Sequence, residues 1–382
     1  MTPGAHFCIG IPGTVLDRDT RQLLKLVRPT GIILFGRNIA SAAQLAGLTH
    51  GLRRLLGGRL LICLDHEGGR VNRLKNLTGV VPSALQLGFL GRRDRALQHG
   101  RLTGRLLREV GVNVNLAPVL DLHLKPKTDN SVPDRCWSRD PAEVARLAGA
   151  FLHGMQEEGV IGCGKHFPGY GAADKDPHLV LPRVDRSYRQ LTKEDLVPYR
   201  RLMQKGSDRD GGLSLRRMHL VMLCHAHVKA FHGARLTPAS VSPRIVHGLL
   251  REEVGFTGVA MTDDLEMGAI LRTMSIGTAT VGSLQSGADW ILICHTARAV
   301  RQGFQTALAA MLEGGLEARR LHVSRERLDR LARLPHPIPR FSEKRFDQIL
   351  KDIRGFTARV FSALPDSLCV IDERWGPIGE KN

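Results

Sequence analysis

The sequence predicts a (β/α)₈ barrel, and three observations lead to it. Short apolar runs recur eight times, at 7–11, 31–35, 60–64, 112–119, 160–164, 220–224, 259–261 and 290–294. Most are apolar throughout rather than alternating, as expected of strands covered on both faces. Amphipathic stretches lie between them, at 42–56, 93–110, 141–158, 243–254 and 297–313. Strand–helix alternation of this length closes into a barrel. The competing architecture, a doubly wound open sheet, lacks its Gly-x-Gly-x-x-Gly after an early strand.

From the third onward, the strands end in polar segments. The third runs into Asp65-His66-Glu67-Gly68-Gly69-Arg70-Val71-Asn72-Arg73, the fourth into Asp121 and the fifth into Lys165-His166. The sixth reaches His225-Ala226-His227, the seventh Thr262-Asp263-Asp264 and the eighth His295. In a barrel these ends converge on one mouth, which marks it as the catalytic face. Helix signals agree with the pattern: Ser242-Pro243 opens one helix and Gly255 follows its last turn. The segment 206–217, rich in Gly, Asp and Arg, reads as a loop insertion before the sixth strand. After Leu334 the run Pro335-His336-Pro337-Ile338-Pro339 is a linker, since three prolines do not continue a helix. The chain therefore divides into a barrel over 1–334 and an extension over 335–382, within which 341–361 forms one amphipathic helix.

Composition narrows the function class. A hydrophobic fraction of 42% supports a large core, and the net charge of +18 raises the question of a polyanion partner. Its arginines are spread over many helices, with no basic tail and no aromatic-interleaved basic motif. A generally basic surface, and no nucleic-acid partner, is the expectation. Seven cysteines without a Cys-x-x-Cys signal neither a disulfide framework nor a zinc knuckle. Five of them (Cys8, Cys63, Cys163, Cys224 and Cys294) sit in apolar runs as small core residues, which points to a reducing compartment. The N-terminus lacks a basic segment followed by an apolar one, and no run is long enough to span a membrane. A soluble, cytoplasmic protein, monomeric and without membrane contact, is expected.

The chemistry concentrates in four places. Lys165-His166-Phe167-Pro168-Gly169-Tyr170-Gly171 joins two cationic or titratable groups to a tight turn, and Asp176-Pro177-His178 follows. A carboxylate beside an imidazole fixes its tautomer and favours its protonated form, as proton transfer requires. Asp263 and Asp264 offer a nucleophile or a metal ligand; in an extended chain they point to opposite sides, so only one is expected in the mouth. Asp65 and Arg73 are suited to vicinal hydroxyls, with Glu67 and Arg70 forming a structural salt bridge beneath them, and Arg135 beside Trp137 is a ligand-facing candidate. His225 and His227 lack a third ligand at matching spacing, so no metal is expected.

Together these segments resemble glycoside hydrolase family 3, in its β-N-acetylhexosaminidase branch. The resemblance rests on Asp-His-Glu-Gly-Gly-Arg-Val-Asn-Arg (65–73), Asn-Leu-Ala-Pro-Val-Leu-Asp (115–121), Lys-His-Phe-Pro-Gly (165–169), Asp-Pro-His (176–178), Leu-Leu-Arg-Glu-Glu-Val-Gly-Phe (249–256) and Thr-Asp-Asp-Leu-Glu-Met (262–267). It implies a retaining hydrolysis with Asp263 as nucleophile, His178 paired with Asp176 as acid/base, and Asp65, Arg73, Arg135, Lys165 and His166 holding the sugar. No cofactor is implied. The implied substrate is an oligosaccharide or muropeptide with terminal N-acetylglucosamine, in peptidoglycan recycling. Phosphorolysis, a family 3 β-glucosidase and a non-catalytic sugar- or polyanion-binding barrel are the alternatives. Tyr170 departs from the His common in the family, which implies altered subsite contacts.

Overall fold

The computed structural model describes residues 2–128, 130–203 and 217–369. Apart from Arg217, the insertion expected at 206–217 lies outside the described residues. Eight parallel strands close into a barrel in sequential order: β1 (Phe7–Gly10), β2 (Gly31–Leu34), β3 (Leu61–Leu64), β4 (Val114–Asn115), β5 (Ile161–Phe167), β6 (Leu220–Leu223), β7 (Val259–Asp264) and β8 (Trp290–Ile293). Each strand has an expected run as its source. The fourth is much shorter than its run, because Pro118 has no N–H for the ladder and the chain continues only as an isolated bridge from Val119 to Lys165.

The uninterrupted apolar character of the runs has a direct cause. Alternate residues such as Cys8, Ile33, Leu61, Cys63, Val114, Cys163, Met222, Met261 and Leu292 form one buried cluster, which fills the barrel. Their neighbours Phe7, Ile9, Ile32, Leu34, Ile62 and Leu64 belong to a second, larger one beneath the helices. Both faces of each strand are thus removed from water. All seven cysteines are free, and every one except Cys369 is buried.

The helices needed below are α1 (Ala42–Leu56), α2 (Arg93–Glu109) and α3 (Glu343–Phe361). Helix α1 starts where the Ser41 side chain accepts from the Gln44 N–H, and α3 starts in the same way at Ser342. The extension is not detached from the barrel. Helix α3 packs against α2 and buries Phe346, Ile353, Phe356 and Val360, and each such side chain contributes about 1.5–3 kcal/mol by leaving water. No described helix is long and apolar enough to cross a membrane.

Candidate active site

The C-terminal mouth of the barrel opens into a cleft of ≈ 760 Å³, its open mouth included. Asp65, Glu67, Arg73, Arg135, Lys165, His166, His178 and Asp263 all line it. Seven of these eight are the expected site residues; Asp176, the eighth residue expected, holds His178 from behind.

Two irregularities in the strands bring so many polar groups to one place. Adjacent residues on a regular strand face opposite ways, yet both Lys165 and His166 line the cleft. The pairing of β5 with β6 shifts register between Gly164 and Phe167, and such bulges re-aim side chains. Strand β7 behaves likewise against β8 between Met261 and Asp264. The expectation that only one of the two aspartates enters the mouth is therefore corrected: Asp263 and Asp264 both reach the cleft wall. Their surroundings separate them. Asp264 accepts from the Cys294 and Glu266 N–H groups and lies 3.2 Å from His295 Nε2. Asp263 accepts at Oδ1 from the Asp264 N–H. Burial pushes its carboxyl up, but the His166 and His225 rings outweigh this, leaving it below the ordinary carboxylate value.

A buried charge network forms the opposite wall. Lys165 Nζ lies 2.7 Å from Asp65 Oδ1 and 2.6 Å from Glu67 Oε1. Arg135 meets Glu67 in a two-pronged pair at 2.8 Å for each contact. Burial alone would neutralise these groups. Arg135 and Lys165 nevertheless draw the Glu67 carboxyl well below its ordinary value, and Glu67 holds Arg135 above its own. The expected Glu67–Arg70 salt bridge does not form, because Glu67 is taken by Arg135 and Lys165. Arg70 instead pairs with Asp134 at 2.8 Å. Arg73 Nη2 stands 3.9 Å from Asp65 Oδ2. His166 Nδ1 is 2.7 Å from Asp121, a residue forty-five positions earlier, whose other oxygen accepts from the Tyr170 N–H.

His178 is carried over this floor on a loop. Its Nδ1 lies 2.6 Å from Asp176 Oδ1, which also accepts the His178 N–H at 2.9 Å. Nε2 is thereby left as the atom free to exchange a proton with a ligand. The loop rests on the segment after β7: Gly268 N–H donates to the His178 carbonyl and Ala269 N–H to that of Pro177. A Cβ on Gly268 would stand 2.5 Å from the His178 oxygen, so this contact requires glycine. Tyr170 does not contribute a donor to the cleft. Its hydroxyl donates to the Lys175 carbonyl at 2.6 Å and ties down the base of the same loop.

His225 and His227 do not act as a pair. His225 lies 3.0 Å from the Asp264 carbonyl and 2.8 Å from Ser240 Oγ, whereas His227 Nε2 faces the Gly233 carbonyl. Sequence reading brought His225 and His295 to the mouth, but missed Glu67 as the hub of the network and Asp121 as the partner of His166. Their position at strand ends was the only signal available.

Two further buried histidines are His66, at the start of the 66–72 hairpin, and His99 beneath it. Burial pushes His66 down to about 3 and His99 down to about 4. Both are neutral when folded, while the unfolded chain takes up their protons below about pH 6.5. Stability held above that pH is therefore lost as it falls from about 6.5 towards 4, by about 2 kcal/mol per histidine at pH 5. Asp195, raised by burial to about 6, works in the opposite direction. The comparison is best made against His99→Phe, whose denaturant midpoint should fall less steeply between pH 7 and 5 than the parent's.

A closed parallel barrel with ionisable groups gathered at its C-terminal mouth is the architecture of a barrel enzyme. The profile of the Glycosyl hydrolase family 3 N terminal domain matches residues 9–331, and the chain belongs to that family of glycoside hydrolases. A β-hexosaminidase of Idiomarina loihiensis is 34% identical over 295 residues, 76% of this chain and 84% of the relative. Among solved structures, a fungal multi-domain family 3 β-N-acetylglucosaminidase superposes with a TM-score of 0.88 at 29% identity, covering 94% of this chain and 42% of that one. The chain thus spans less than half of that protein. NagZ of Neisseria gonorrhoeae, in complex with N-trifluoroacetyl-D-glucosamine, gives 0.74 at 29% identity, covering 93% and 98%.

Proposed function

We propose that the protein is a retaining β-N-acetylhexosaminidase that removes terminal, non-reducing β-linked N-acetylglucosamine. Muropeptide fragments are the substrate we favour, with peptidoglycan recycling in the cytoplasm as the setting. The observation that carries this reading is the His178–Asp176 dyad in the same cleft as the depressed Asp263 carboxylate. Retention requires a nucleophile and a proton donor acting on one glycosidic bond. The names of the relatives support N-acetylglucosamine as the sugar.

In the first step an Asp263 oxygen attacks the anomeric carbon. His178 Nε2 gives its proton to the glycosidic oxygen as that bond breaks. Asp176 stabilises the imidazolium before transfer and holds the ring in place. In the second step neutral His178 takes a proton from water, whose oxygen displaces Asp263 and restores both groups. Asp65, Arg73, Arg135, Lys165 and His166 hold the sugar. The Lys165–Asp65 and Arg135–Glu67 pairs keep these donors fixed before substrate arrives, so little reorganisation is needed during reaction. The barrel over 1–334 carries this chemistry, and the extension, through its described residues 335–369, supports it from outside.

A neutral base does not repel an anionic acceptor, so phosphate in place of water is the second reading. One assay addresses sugar and acceptor together. Nitrophenyl N-acetyl-β-D-glucosaminide should be cleaved far faster than the glucoside, releasing free N-acetylglucosamine whether or not phosphate is present. Preference for the glucoside would sink the proposed specificity, and a sugar phosphate product would replace hydrolysis by phosphorolysis.

A further inference from the structure

The extension begins on the face opposite the cleft. His336 N–H donates to the Gly159 carbonyl just ahead of β5, and Arg108 reaches the Pro337 carbonyl. Arg345 then makes a two-pronged pair with the buried Glu109 carboxylate at the end of α2. From there α3 runs antiparallel to α2, towards the mouth. Past its end, the Leu368 carbonyl accepts from Gln86 Nε2 at 2.6 Å. Gln86 belongs to the helix Ala84–Leu90, which packs against the short helix Pro133–Arg135.

Midway along this path, Phe356 lies flat on His99, with centroids 5.7 Å apart and planes 12° from parallel. Both rings are buried. His99 in turn sits under the hairpin that carries Glu67: a Cβ on Gly68 would come within 3.2 Å of its Nε2. The other face of the group continues through Phe151 to Trp137, two residues from Arg135, at centroid distances of 5.3 and 5.9 Å. A chain of rings therefore runs from α3, which lies beyond the family match, to the hairpin that carries Glu67 and to Trp137, two residues from Arg135.

We propose that Phe356 and His99 are positioning residues for sugar binding: stacked on each other, they set the height and tilt of the 65–73 segment, and through Glu67 they fix Lys165 and Arg135. The proposal rests on the reading of those two cations as sugar-holding groups. Neither Phe356 nor His99 touches substrate, and their effect belongs in KM rather than kcat. A change of a few tenths of an ångström at Glu67 is transmitted to both cations, because its two oxygens are shared between them.

The test compares three variants of the full chain. Phe356→Leu keeps an apolar side chain and loses the flat stack. His99→Ala removes the ring beneath Gly68 and with it the stack. Phe346→Ala loosens the same helix at its far end, away from His99. Amide hydrogen exchange over 65–73 should quicken about tenfold in the first two and remain as in the parent in the third, whose thermal stability falls. With nitrophenyl N-acetyl-β-D-glucosaminide, KM should rise about tenfold in the first two while kcat stays within about twofold. Unchanged exchange over 65–73 in Phe356→Leu overturns the proposal, as does a Phe346→Ala variant that reproduces the full effect. Should His99→Ala not fold, Phe356→Leu alone decides. A parent that cleaves no N-acetylhexosaminide overturns the proposed function, and the exchange measurement still decides the positioning role.

Discussion

Asp263→Asn is expected to reduce turnover of an N-acetylglucosaminide by roughly 10⁴-fold or more, as removal of a nucleophile does elsewhere. Asn is close in shape and keeps an oxygen that can accept the Asp264 N–H, now made by the Asp263 carboxylate. What it loses is the charge and the ability to form a glycosyl ester. The fold should therefore survive, and N-acetylglucosamine should still bind with nearly the parent's affinity. Binding by calorimetry and turnover by product release together separate these effects. A variant retaining a tenth of parental turnover would show that another group attacks the anomeric carbon. The depressed carboxyl has a second consequence: Asp263 is already ionised across the neutral range, so its titration should shape activity only at acid pH.

His178→Ala should divide substrates by leaving group. A nitrophenolate departs without a proton, so kcat/KM for the aryl substrate should fall by less than about tenfold. For an alkyl aglycone, where protonation is needed, the loss should reach about 10²–10⁴-fold. The second step lacks its base in both cases, so glycosyl-enzyme should accumulate and lower KM together with kcat for the aryl substrate. Azide, which attacks without losing a proton, should restore much of that kcat. Equal losses on both substrates, with no azide rescue, would remove His178 from the proton-transfer role. The geometry motivates this division, since Asp176 occupies Nδ1 and leaves Nε2 for the aglycone oxygen.

Much of this architecture was legible because barrel strands are apolar on both faces and end abruptly. The positions of Lys165, His166 and Asp263 followed from strand ends and that of His178 from its spacing to Asp176, and their convergence followed from closure. The wiring was not legible. Glu67 pairs with Arg135 and Lys165 across 68 and 98 positions, while local spacing suggested Arg70. Bulges in β5 and β7 overrode the two-residue alternation on which the placing of Asp263 and Asp264 depended. Tyr170 looked like an altered subsite donor, but a hydroxyl has no direction in sequence, and this one turns to a carbonyl five residues away.

The contact at Gly268 has a consequence for precision. In a barrel, groups on the fifth and seventh strands are separated by many independent joints, and small errors at each would accumulate. Here the His178 loop, which leaves β5, is hung from a point only five residues after Asp263. The His178 imidazole and the Asp263 carboxylate thus share a reference point, like two tools clamped to one rail. Breathing of the barrel carries both together, and the spacing between them is kept by two short backbone bonds rather than by the whole cylinder.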